Sequence, residues 1–170
     1  MTLKSFEDID WHQWQPGLEA TLLFVIKEGR ILLIHKKRGL GAGKITGPGG
    51  KRDPGETLAE CAARELTEEL GVVAHHAMTC GELLFQFVDG LALQVTVFRT
   101  DDCEGEPTES EEAAPLWFPL DEIPYARMWA DDYLWMPLVL AHQPFVGRFL
   151  FDDDAMLGYR LETSEKGGSG

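Results

Sequence analysis

Basic residues are scarce in this chain. Fifteen Lys and Arg stand against 29 Asp and Glu, for a formal net charge of −14 and a sequence pI of about 4.6. Binding to polymeric nucleic acid needs a basic footprint, so that class of partner is excluded. A small anionic substrate remains open if cations mediate its contact, which points toward divalent metal. Cysteine is nearly as scarce. Cys61, Cys80 and Cys103 make an odd number with no CxxC spacing, which argues against a disulfide framework or a zinc site and for reduced thiols in a cytoplasmic protein. No apolar run approaches membrane-spanning length. Met1 to Trp14 is acidic and has no apolar h-region, so it does not read as a signal peptide. No internal repeat interrupts the chain. Its 170 residues, 44% hydrophobic and 10% aromatic, suffice for one compact domain with a real core.

The pattern along the chain is strand-rich. Glu19 to Lys27 and Arg30 to Lys36 read as a hairpin turning at Gly29. Gly39 to Gly50 reads as a glycine-rich loop, and Asp53-Pro54-Gly55 as a second turn. Thr57 to Leu70 is expected to be a helix stopped by Gly71. Leu83 to Val88 and Leu91 to Arg99 suggest a hairpin around Asp89-Gly90. Asp101 to Ala114 reads as an acidic loop and Leu116 to Leu120 as a short strand. Asp131 to Ala141 is expected as a second helix with an Asp near its N-cap, although Pro137 lies inside it. Phe145 to Phe151 and Met156 to Leu161 complete a last hairpin through Asp152-Asp153-Asp154. The expected class is α/β (α+β), a mixed β-sheet flanked by helices. Residues 1–17 read as an N-terminal extension whose Trp11 and Trp14 pack on the domain or on a partner. Residues 18–163 read as the domain, acting as a monomer, and 164–170 as a flexible tail.

The first helix carries an unusual charge arrangement. At 100° per residue, Ala59, Ala62, Ala63, Leu66 and Leu70 share one face, while Glu65, Glu68 and Glu69 share another. Carboxylates at i, i+3 and i+4 repel one another, and they lie toward the helix C-terminus, where the macrodipole disfavours anions. A solvated acidic face is one explanation. Bound divalent cations are the other, and oxygen-only ligands suit Mg²⁺, or alternatively Mn²⁺.

The surrounding spacing favours the second. From Gly50 the chain reads GKRDPGETLAECAARELTEELGV. Gly50, Glu56, Arg64, Glu65, Leu66, Glu68, Glu69, Gly71 and Val72 fill every specified position of the Nudix box. A chance match at a given start is on the order of 10⁻⁹ at average residue usage, and the run has the loop-then-helix context that such a motif requires. The chain therefore resembles the Nudix hydrolases. That resemblance implies an α/β/α sandwich and hydrolysis of a nucleoside diphosphate linked to another group. It implies metal ligation by Glu65, Glu68, Glu69 and the Gly49 carbonyl, with Glu56 and Arg64 supporting the helix carboxylates.

From about Thr21 to about Glu162 the likeness narrows to the animal 8-oxo-dGTP diphosphatases of the MutT-like group. It is carried by KKRGLGAGK at Lys36 to Lys44, LLFQFV at Leu83 to Val88, TESEE at Thr108 to Glu112 and MWADDYLWMPL at Met128 to Leu138. The resemblance implies that Trp129 stacks on a purine and that Asp131 and Asp132 read its edge, in a nucleotide pocket lined by Thr21, Lys36, Leu40, Thr46, Gly50, Lys51 and Phe85. Glu112 would be a further metal ligand. Taken without it, Asp131 and Asp132 read as helix caps, Trp129 as core and Glu112 as surface charge. Leu40 and Thr46 depart from the group, which has phenylalanine and asparagine there. Thr46 lacks the bidentate amide geometry of asparagine. The expected activity is hydrolysis of oxidised purine nucleoside triphosphates to monophosphate and pyrophosphate. Another Nudix substrate, such as a nucleotide sugar or ADP-ribose, and a non-catalytic nucleotide sensor are the alternatives.

Overall fold

The computed structural model describes residues 3–164. After a single 3₁₀ turn, Phe6–Asp8, come β1 (Leu18–Lys27), β2 (Arg30–Lys36), β3 (Ile45–Thr46), β4 (Gly49–Lys51), α1 (Leu58–Leu70), β5 (Val73–His75), β6 (Met78–Phe87), β7 (Ala92–Thr100) and β8 (Asp102–Glu104). The chain continues through β9 (Ala113–Pro119), a 3₁₀ turn at Tyr125–Arg127, α2 (Asp132–Leu140), β10 (Phe145–Asp152) and β11 (Ala155–Thr163).

Nine strands form one mixed sheet in the order β11-β10-β6-β7-β1-β2-β3, with β4 on β1 and β9 on β2. The β1–β7 and β6–β10 pairs are parallel and the remainder antiparallel. The apolar runs of β1 and β2 explain the layering. Side chains alternate across a strand, so Leu23, Val25, Leu32 and Ile34 pack with Ala62, Leu66 and Leu70 of α1. Phe24, Ile26, Ile31 and Leu33 pack on the other side with Trp135, Met136 and Val139 of α2. Strands buried on both faces read as continuous hydrophobic runs. The result is the expected mixed sheet between helices.

Helix α1 starts and stops where its sequence says. Thr57 accepts the Glu60 amide at 3.1 Å and donates its own amide to Glu60 Oε1 at 2.8 Å, closing a capping box. Gly71 ends the helix at φ 72°. Its faces differ from the helical-wheel expectation: Ala59 is exposed, whereas Cys61 and Glu69 are buried. Helix α2 forms despite Pro137 because Trp135, Met136 and Val139 are almost fully buried, and tertiary packing outweighs the missing backbone bond.

Three expectations are corrected. The Gly39–Gly50 loop contains β3 and the start of β4, and a Cβ on Gly49 would collide with the Thr21 carbonyl of β1. That close approach needs glycine, which is why the strand looks like a loop in sequence. The acidic loop after Asp101 contains β8, which pairs with β5 across Val73–Glu104, Ala74–Cys103 and His75–Asp102. Finally, β6 begins at Met78, because a register shift between Thr79 and Gly81 masks its period.

The N-terminal segment packs on the domain. Phe6 is buried against Gly158 of β11, and the Trp14 indole N–H donates to Gln86 of β6 at 2.8 Å. Of the tail expected at 164–170, only Ser164 lies within the described residues. Among these, no helix is long and apolar enough to cross a membrane.

Candidate active site

One cavity of about 530 Å³ opens beside α1 and runs to the start of α2. It brings together fourteen of the residues singled out in the sequence: Thr21, Lys36, Leu40, Thr46, Gly49, Gly50, Lys51, Glu65, Phe85, Glu69, Glu112, Trp129, Asp131 and Asp132. Glu56, Arg64 and Glu68 do not line it.

The acidic end is organised by Arg64. Its guanidinium binds both oxygens of Glu56, at 2.7 and 2.9 Å, and reaches Glu65 at 3.0 Å, Glu68 at 3.1 Å and the Lys51 carbonyl at 3.1 Å. This fork, reinforced by a backbone hydrogen bond from Asp53, holds the Glu56 carboxyl down to about 2. Glu69 is in the opposite situation. It is 4% exposed, and burial pushes it up to about 8, opposed by the Gly49 amide that donates to Oε1 at 3.0 Å. Burial also raises Glu65, whose carboxylate lies where a Cβ on Gly50 would be. Lys36 is half-buried near Glu69, Glu65 and Glu112, and desolvation lowers its pKa.

Among the described residues, no three His, Cys, Asp or Glu side chains converge into a preformed metal cage. The hydrogen bonds explain this: Arg64 draws Glu65 and Glu68, Glu69 rests on the Gly49 amide, and Glu112 pairs with Arg38 at 3.2 Å. The donor set nonetheless fits a hard cation. Its oxygens come from carboxylates on one helix and one loop, and a carboxyl whose ionisation is disfavoured by burial gains most from a cation beside it.

The far end is aromatic. Leu83, Phe85 and Phe87 of β6, together with Leu91, Leu93 and Val95, form a wall. Trp129 stands edge-on to Phe87 and Phe151. Gly41 lets the loop approach this indole, since a Cβ there would fall 2.8 Å from Nε1. At the floor, Asp131 is 1% and Asp132 5% exposed. Asp131 occupies the N-cap position of α2 but makes no capping hydrogen bond. Its Oδ2 instead accepts the Trp135 indole N–H at 2.7 Å, while Oδ1 is buried without a partner. Desolvation raises both acids, and the neighbouring Asp131 charge raises Asp132 further. A neutral acid beside a charged one offers a donor and an acceptor side by side.

Sequence reasoning missed three contributors. Trp135 fixes Asp131. Lys44 lies over the Trp129 ring at 5.2 Å. Arg38 pairs with Glu112 at the rim. Trp135 alone carried a signal, its i, i+4 spacing from Asp131 within a helix.

The NUDIX domain family model matches residues 17–139. The chain is 46% identical over 147 residues to the oxidized purine nucleoside triphosphate hydrolase of Danio rerio, spanning 85% of this chain and 94% of that protein. It is also 46% identical over 143 residues to the Mus musculus protein of the same name, spanning 83% and 92%. Among solved structures, the mutator MutT protein from Bacillus halodurans matches with a TM-score of 0.76 at 26% identity, covering 85% of this chain and 97% of that one.

Proposed function

We propose, because this chain belongs to the Nudix hydrolase family, that it hydrolyses oxidised purine nucleoside triphosphates to the monophosphate and pyrophosphate. The observation that carries this is the floor of the cavity: two adjacent buried acids, one with an unpartnered oxygen, under an aromatic wall and across from the carboxylates of α1. The names of the Danio rerio and Mus musculus relatives support the same substrate class.

Trp129 and Phe85 enclose the base, with Leu40 and Thr46 at the rim. Asp131 accepts and Asp132 donates at the purine edge. Lys36, Lys51 and the Gly50 backbone hold the phosphates beside Thr21. Glu65, Glu68, Glu69, Glu112 and the Gly49 carbonyl are the groups that would hold Mg²⁺, with Mn²⁺ as its substitute. When bound, the ion supplies charge neutralisation at the phosphate oxygens. Arg64 and Glu56 keep the helix carboxylates aligned. Water attacks phosphorus, and one carboxylate of α1 takes its proton. Three free thiols suit a reducing cytoplasm.

The test is pyrophosphate release with magnesium at low substrate from 8-oxo-dGTP, 2-hydroxy-dATP, dGTP and ADP-ribose, for the wild type and Asp132→Asn. A large kcat/KM preference for an oxidised purine is expected. Asp132→Asn should then lose roughly 2–4 kcal/mol of transition-state binding, the scale of an unpaired buried polar contact. Equal rates on dGTP, fastest turnover of ADP-ribose, or a fully active variant would overturn the assignment.

A further inference from the structure

The strands that wall the aromatic end of the cavity are thin. Phe85 and Phe87 face the cavity, so Leu84 and Gln86 point to the opposite side of β6. On that side Gln86 lies beside Leu150 of β10, and Leu150 beside Gly158 of β11. The buried cluster around α1 reaches Phe98 but includes neither Leu150 nor any residue of β6, yet Leu150 is fully buried.

Residues 3–17 provide the missing layer. Phe6 sits on Gly158, where a Cβ would fall 2.6 Å from Phe6 Cβ, and the Arg160 guanidinium lies over its ring at 5.6 Å. The rings of Phe6, Trp11 and Trp14 follow one another at 5.6 and 5.4 Å. The segment ends with the Gly17 amide donating to the Ala92 carbonyl at 2.8 Å.

The decisive contact is Trp14. Its indole N–H donates to Gln86 Oε1 at 2.8 Å, and Gln86 Nε2 donates in turn to the carbonyls of Phe87 at 2.9 Å and Leu91 at 3.3 Å. Phe87 and Leu91 both line the cavity. The indole, a donor only, fixes which way the Gln86 amide faces; the reverse orientation would put its oxygen against two carbonyls.

We infer that residues 3–17 form a strap that shapes the base end of the cavity, with Trp14 and Gln86 as positioning residues acting through Phe87 and Leu91. The strap holds the wall at the base end in place without touching substrate. The inference deepens the proposed function and rests on its assignment of this end to the base.

Trp14→Phe keeps an aromatic side chain but removes the indole donor together with part of the ring system, whereas Gln86→Leu removes the acceptor and leaves the Trp14 indole in place. Compared with wild type and with Gln86→Leu, Trp14→Phe is expected to raise KM about fivefold, the effect of one buried hydrogen bond, with kcat unchanged. The double variant should be no worse than Gln86→Leu alone, since both break one relay. Amide exchange of Phe87, whose N–H bonds the Leu91 carbonyl at 2.8 Å, should quicken about fivefold in ligand-free Trp14→Phe. Kinetics are judged on whichever purine nucleotide the wild type turns over fastest. Absence of an 8-oxo-dGTP preference therefore counts against the substrate assignment alone. Unchanged KM and exchange in Trp14→Phe, additive losses in the double variant, or a fall in kcat in place of a rise in KM would overturn the strap.

Discussion

A carboxyl that burial pushes up to about 8, as Glu69 is, is a proton store. Its folded value lies above the ordinary 4.5. The stability it lends the metal-free fold is therefore complete below about pH 4.5 and is lost as pH rises toward about 8. A divalent cation competes for the same oxygens and favours the ionised form. Magnesium binding near pH 7 should accordingly release about one proton and tighten as pH rises. Calorimetry in buffers of different ionisation enthalpy would show it, and a buffer-independent heat would contradict it. Single residues were unevenly legible in the sequence. The three glutamates of α1 announce themselves by spacing, because a helix has a known period. Asp131 does not, because a helix-start Asp looks like a cap, and only the structure shows one of its oxygens accepting from Trp135 and the other buried with no hydrogen-bond partner. Lys44 carries no local signal at all; its place over Trp129 comes from loop geometry.

Elements announce themselves when their ends have distinctive chemistry. Thr57, Glu60 and Gly71 delimit α1 by capping groups that any reader of the sequence can find, whereas β4 is built of glycine and lysine and is defined by its neighbour β1. β5 and β8 are three residues each, too short for a period to show. The same caps make α1 testable. Thr57→Ala removes the acceptor for the Glu60 amide and should cost about 1 kcal/mol. Urea denaturation would register this as a lower midpoint at unchanged slope. A shift of no more than a few tenths of a kcal/mol would mean that the capping box contributes little here.

At the scale of the molecule, two apolar clusters share one sheet. β1 gives Leu23 and Val25 to the α1 side and Phe24 and Ile26 to the α2 side, so neither cluster persists if that strand is lost. Thermal unfolding should be a single transition, seen alike by far-UV dichroism, by tryptophan fluorescence and by reactivity of the buried Cys61 thiol. Two separated midpoints would show the layers melting independently.

The cavity's two ends draw on different stretches of chain. Gly49 to Glu69, joined by Glu112, supply one, while Leu83 to Val95 and Trp129 to Trp135, with Leu40 and Thr46 at the rim, supply the other. Descendants of such a sequence can drift in what they admit while inheriting the opposite end unaltered. A change in what the far end admits therefore need not disturb the carboxylates that would carry the hydrolysis.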